Sequence, residues 1–178
     1  MQQALFKERK QSLEYGGSLL RGKRKTKRPI VLSKPLHLVM RSEVAIGKLS
    51  LKRFELLIKA RLELYALRFH IKVYKLAINR NHLHLCIQGQ DRQEVASFLK
   101  VFAGVIAKKI VIHSKFKLEK FWTERVFSRV VQWGKDFKGV IKYIHQNELE
   151  ADGTIPYTPR NRRKKKSGGL PTESHPNR

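Results

Sequence analysis

Apolar residues recur along the chain in two rhythms, and the switches between them mark out its elements. Leu51, Phe54, Leu57, Ile58, Leu62 and Tyr65 are spaced by three and four, which predicts an amphipathic helix capped by Ser50. Residues 69–78 then alternate, with Phe69, Ile71, Val73 and Ala77 on one side, and Leu83, Leu85 and Ile87 form a second alternating run. Asn79, Arg80 and Asn81 between the runs are turn formers, so the pair predicts an antiparallel hairpin. Helical spacing returns at Val95, Phe98, Leu99, Phe102, Val105 and Ile106, behind Asp91 and Glu94, which resemble a capping box.

The flanks complete the pattern. Residues 30–32 and 36–40 read as extended, interrupted at Pro35 and ended by Arg41 and Ser42. Residues 121–131 are rich in aromatic and β-branched side chains and predict a last strand, which Gly134 separates from a third helix starting near Asp136. The order strand, helix, strand, strand, helix, strand, helix is that of an α+β ferredoxin-like (RRM-like) split βαβ antiparallel sheet. Its helices are expected on one face, with an extra C-terminal helix. The expected organisation is a basic extension at 1–28, a single domain at 29–153 and a basic, disordered tail at 154–178.

Charge narrows the partners. Lys and Arg number 39 against 14 Asp and Glu, a formal net charge of +25. Such a surface repels itself unless a polyanion compensates, which points to nucleic acid. A membrane is the competing partner, but no apolar run approaches the roughly 20 residues needed to span one, and charges from Lys7 onward break any signal-peptide pattern. A cytoplasmic, nucleoid-associated protein is expected. The basic side chains cluster at Arg21, Lys23, Arg24, Lys25, Lys27 and Arg28, and again at Arg160, Arg162, Arg163, Lys164, Lys165 and Lys166. Both runs are expected to make salt-sensitive phosphate contacts rather than to read bases. The lone Cys86 lies in an apolar run and reads as a small core residue.

Two local patterns carry chemistry. In Asn81-His82-Leu83-His84-Leu85, alternation sends both imidazoles to one face and both leucines to the core, so the pair can share a divalent ion or simply decorate a surface. In Lys142-Tyr143-Ile144-His145-Gln146-Asn147, the stripe Phe137, Val140, Ile141 and Ile144 is buried, and Tyr143 and Asn147 share a flank one turn apart. Taken alone, that tyrosine reads first as an ordinary amphipathic residue bordering the core, the commoner role on a helix flank. His37, in an apolar strand, reads as a structural histidine, and Trp122 and Trp133 as core aromatics with a secondary capacity to stack on bases.

Together these patterns resemble the single-tyrosine transposases of the HUH nuclease superfamily, most closely the REP-associated tyrosine transposases of bacteria, over about residues 35–153. The resemblance rests on the His-hydrophobic-His strand, the Phe121-Trp122 segment running to Arg129-Val130-Val131, and the Tyr-Ile-His-Gln-Asn helix. It implies that Tyr143 is the nucleophile and that His82, His84 and Asn147 are metal ligands. Gln146 points away from the Asn147 side of a regular helix. It further implies a divalent ion, Mg²⁺ or Mn²⁺, a 5′-phosphotyrosine intermediate, and single-stranded hairpin or repeat-element DNA as substrate, with the chain a monomer or homodimer. Relatives often place Pro after that Asn and Met-Pro before the His pair, where Glu148 and Asn79-Arg80 stand here. Two rival expectations are a ferredoxin-like module that binds single strands without cutting them, and a rolling-circle initiator or relaxase. The latter usually adds another His ligand and a second tyrosine, and neither appears near Tyr143.

Overall fold

In the computed structural model, which describes residues 13–24, 26–114 and 120–159, the alternating runs pair into one antiparallel sheet. Its strands are β1 (Glu14–Tyr15), β2 (Leu36–Arg41), β3 (Ile71–Ile78), β4 (His82–Gly89) and β5 (Phe127–Val130), in the order β1-β5-β2-β4-β3. The last four strands reproduce the expected split βαβ arrangement, with β4 between β2 and β3. The hairpin closes through the Asn79 N–H donating to His82 O at 2.8 Å.

Helices α1 (Glu55–Arg68) and α2 (Arg92–Ser114) cover one face of the sheet. Leu36, Leu38 and Met40 of β2 and Leu83, Leu85 and Ile87 of β4 pack there against Ile58, Leu62, Phe98, Phe102 and Ile106 in the main core. Helix α3 (Lys135–Ala151) lies across the other face, where Val140 and Ile144 meet Ala77, Cys86 and Val131 in a smaller core. Gly134 admits the turn into α3 at a φ of 88°. Among the described residues no helix is long and apolar enough to cross a membrane.

Several expectations need correction. A register shift between Val73 and Lys75 inserts one residue into β3, so Ile71 and Val73 face the main core while Ala77 falls on the opposite side. Ser50 makes no cap bond; its hydroxyl donates to Arg80 O, and a short 3₁₀ turn at Leu51–Phe54 precedes α1. Asp91 does cap α2, accepting from the Gln93 and Glu94 amides, but Glu94 turns its carboxylate to His70 instead of reaching back. The strand expected from residue 121 starts only at Phe127, because residues 121–125 form bends in which the Ser42 hydroxyl donates to Phe121 O and the Trp122 indole to Ala103 O. Residues 30–32 are not strand. Ordered chain begins before Pro29: Glu14 and Tyr15 pair with Arg129 and Ser128 to extend the sheet.

Candidate active site

The α3 face of the sheet is where the polar halves of the alternating strands collect. His37, Val39 and Arg41 of β2 stand opposite Cys86, His84 and His82 of β4 in register. The His84 ring lies 5.0 Å from that of His82 and 5.4 Å from that of His37, between centroids. From α3, Tyr143 meets the same group edge-on, 5.2 Å from His84 and 6.0 Å from His37. Tyr143, His82 and His84 line one cleft of about 370 Å³ together with Arg41, Arg125 and Glu124. A second cavity behind it, lined by His37, His84, Arg129, Asp136 and Tyr143, continues the same depression.

The electrostatics of the cleft follow from its ion pairs. Arg129 is held by Asp136 through two bonds of 3.0 and 2.9 Å, and the Arg129 guanidinium in turn keeps the Asp136 carboxyl below the usual range. Glu124 is bonded to Arg21 at 2.6 Å. Burial, and then the nearby Arg129, pushes the His37 imidazole down to about 4 against the pull of Asp136, so His37 is neutral near pH 7. Burial pushes the Cys86 thiol up to about 12, so it remains an uncharged core group although it shares a face with the histidines.

The candidate donors for a metal are the two strand histidines and an amide. Among the described residues no three His, Cys, Asp or Glu side chains converge as a metal site. The His pair nevertheless suits an ion, because each ring has an outer partner on Nδ1: Asn81 Oδ1 at 2.8 Å from His82, and His37 Nε2 at 3.2 Å from His84. Donation of Nδ1–H to the Asn81 oxygen leaves Nε2 as the acceptor nitrogen of His82, and His84 matches it in the tautomer that donates Nδ1–H to His37, the arrangement a metal-binding imidazole requires. Asn147 is 3% exposed, more deeply buried than its helix-flank position suggested. Its Nδ2 donates to Tyr143 O at 2.7 Å, and it lines a separate cleft with Asn79 and Asn81. Gln146 donates to Glu150 instead.

Of the basic residues, Arg21, Lys23, Arg24 and Lys27 are exposed, and Arg28 is half-buried. Lys25 and the run Arg160, Arg162, Arg163, Lys164, Lys165 and Lys166 lie outside the described residues. Trp133 donates its indole N–H to Ser33 O, so both tryptophans are tied to the backbone. The residue that sequence reasoning set aside is His37. The signal was available in the alternation of β2, since Leu36 and Leu38 face the core and the histidine between them must face the other way.

Residues 34–147 match the family described as IS200-like transposases. The chain belongs to that family. IS200-like transposases act on DNA, and the matched span takes in the His pair, Tyr143 and Asn147. No curated protein matches the chain significantly. Its fold is similar to that of a solved REP-associated tyrosine transposase bound to a REP hairpin, with a TM-score of 0.56, 13% identity and coverage of 74% of this chain and 76% of that one. A putative transposase from Deinococcus radiodurans R1 aligns with a TM-score of 0.42 and 17% identity, over 70% of this chain and 98% of that one.

Proposed function

We infer that this transposase cleaves single-stranded DNA through Tyr143 and rejoins the ends, using hairpin-forming repeat DNA as substrate and a divalent ion, Mg²⁺ or Mn²⁺, held by His82, His84 and Asn147. The observation that carries this reading is the meeting of the Tyr143 ring with the His pair in one cleft of one chain. The REP hairpin bound by a transposase of similar fold supports the substrate class.

A neutral phenol is a weak nucleophile, so the attacking tyrosine needs help. An ion at the His pair would supply Lewis acidity, drawing off the charge that grows on a non-bridging phosphate oxygen. With His37 Nε2 as acceptor of the His84 Nδ1–H, the contact between the two rings would select the tautomer that presents Nε2. Asn147, which lines the neighbouring cleft with its Nδ2 engaged by Tyr143 O, would supply Oδ1 once its side chain turns toward the His pair. Helix α3 therefore fixes nucleophile and amide ligand relative to each other. Arg41 and Arg125 draw the phosphate backbone into the cleft.

In the chemical step the Tyr143 oxygen forms a bond to phosphorus and gives up its proton to solvent. The bond from phosphorus to the 3′ oxygen breaks, and that oxygen takes up a proton. The product is a 5′-phosphotyrosine and a free 3′-hydroxyl. A second 3′-hydroxyl attacking the phosphotyrosine reverses these steps and joins new ends without another energy source.

A labelled single strand carrying a hairpin-forming repeat, incubated with the full chain and Mn²⁺, should give a covalent adduct on a denaturing gel. Tyr143→Phe should lose it, and His82→Ala should weaken both Mn²⁺ binding and adduct formation. An adduct that persists in Tyr143→Phe would overturn the assignment.

A further inference from the structure

A charged cavity outside the cleft lies on the α2 side of the sheet, where β1, the bends before β5 and the segment at Arg28 meet α2. It encloses about 610 Å³ and brings together Arg28, Lys100 and Arg125, with Tyr15 and Trp122 among its walls. Glu124 also lines it, but that carboxylate is bonded to Arg21. Three cations therefore face a space whose one carboxylate already has a cationic partner.

Arg28 is the unusual member. Its guanidinium lies 4.5 Å over the Tyr15 ring, and Nη2 donates to Val126 O at 2.8 Å. Nη1 is buried and has no partner among the described residues. Burial pushes this guanidinium down to about 10, with Tyr15 pulling it up and Arg125 adding repulsion. A desolvated cationic N–H without an acceptor is costly, and an anion placed between Arg28 and Arg125 would satisfy the N–H and relieve the repulsion together. The rest of the cavity is apolar, formed by Leu99, Ala103 and Trp122.

The two cavities share a wall. Glu124 and Arg125 line both the cleft that holds Tyr143 and this one. A strand that ran out of the cleft over Arg125 would come within reach of Arg28. We propose that this cavity seats a second nucleotide of the same DNA strand, its phosphate between Arg28 and Arg125 and its base against the Leu99–Ala103–Trp122 wall, an inference that rests on the single-strand reading above.

The test uses the full chain and a set of single-stranded hairpin oligonucleotides, each with one phosphate replaced by an uncharged methylphosphonate. Binding is followed by fluorescence anisotropy over a salt series. One linkage outside the cleft should weaken wild-type binding about tenfold when neutralised, in line with loss of a charge-assisted bond. Arg28→Gln should make that linkage indifferent, and should reduce the slope of log affinity against log salt by about 0.7, the value for one phosphate contact on a single strand. Because Arg28 packs on Tyr15, Lys100→Glu on the exposed surface of α2 serves as the second variant, and it should show the same selective loss. If the wild type binds the hairpin strand but neither variant changes the pattern of sensitive linkages, the second site is wrong and the Tyr143 reading stands. If the wild type binds no single strand at all, both fall.

Discussion

The two faces of the sheet are cut from the same strands and do opposite things. Strand β4 sends Leu83, Leu85 and Ile87 into the core beneath α1 and α2, and sends His82, His84 and Cys86 toward α3. On the first face the contacts are aliphatic and aromatic, with Phe98 stacking on Phe102 of α2 at 5.5 Å, both fully buried. On the second, a single helix packs through a much smaller core, and beside that core lie three imidazoles and a phenol, His37 and His84 buried among them. A period of two residues lets a strand supply stability and chemistry at once, provided that the covering layers are unequal.

Breaking the polar face alone should have the largest functional effect with the least structural one: Tyr143→Phe is expected to abolish the DNA adduct on a denaturing gel while leaving the thermal unfolding midpoint close to wild type. The reverse experiment is Phe98→Ala, which empties a fully buried site on the apolar face and should cost about 3–5 kcal/mol in urea denaturation. Its folded fraction should still bind Mn²⁺. Between these extremes, His37→Leu keeps the packing volume and removes the outer partner of His84; Mn²⁺ affinity by calorimetry should fall about 10–100-fold, with stability nearly unchanged. The smallest effect is expected from Asp136→Asn. The Arg129 guanidinium holds the Asp136 carboxyl low, so the folded protein takes up that proton at a lower pH than the unfolded chain. The contribution is complete above the unfolded pKa of about 3.9 and is lost as pH falls through the lower folded value. Acid unfolding curves of the two proteins should therefore differ above about pH 4 and converge below it.

What could be read from the sequence was whatever depends on local period. The hairpin, the apolar stripes of α1, α2 and α3, and the placing of His82 and His84 opposite Leu83 and Leu85 all follow from spacing. The misplacement of Ala77 has a definite cause, since a single inserted residue at Tyr74 reverses the sense of everything after it, and no composition signal announces a bulge there. Strand β1 was hidden because two residues beside a glycine pair carry no periodicity; pairing with β5 alone makes Glu14 and Tyr15 a strand. The contact between His37 and His84 needed the register of β2 against β4, which spacing within either strand does not contain. Asn147 could be placed on the Tyr143 flank from the helical wheel, but its burial depends on how far α3 sinks toward β3.

The bulge and the short first strand have one more consequence. Sheets invite neighbours wherever a long row of amide and carbonyl groups is left open. Here one rim is only two residues long, and beside it the chain turns at Gly16, which lies so close to Val126 that a methyl group there would fall 2.1 Å from its carbonyl oxygen. The other rim is kinked at Tyr74 and guarded by Lys72 and Lys75. Among the described residues neither rim therefore offers a long, straight row of open backbone groups to a strand of another copy.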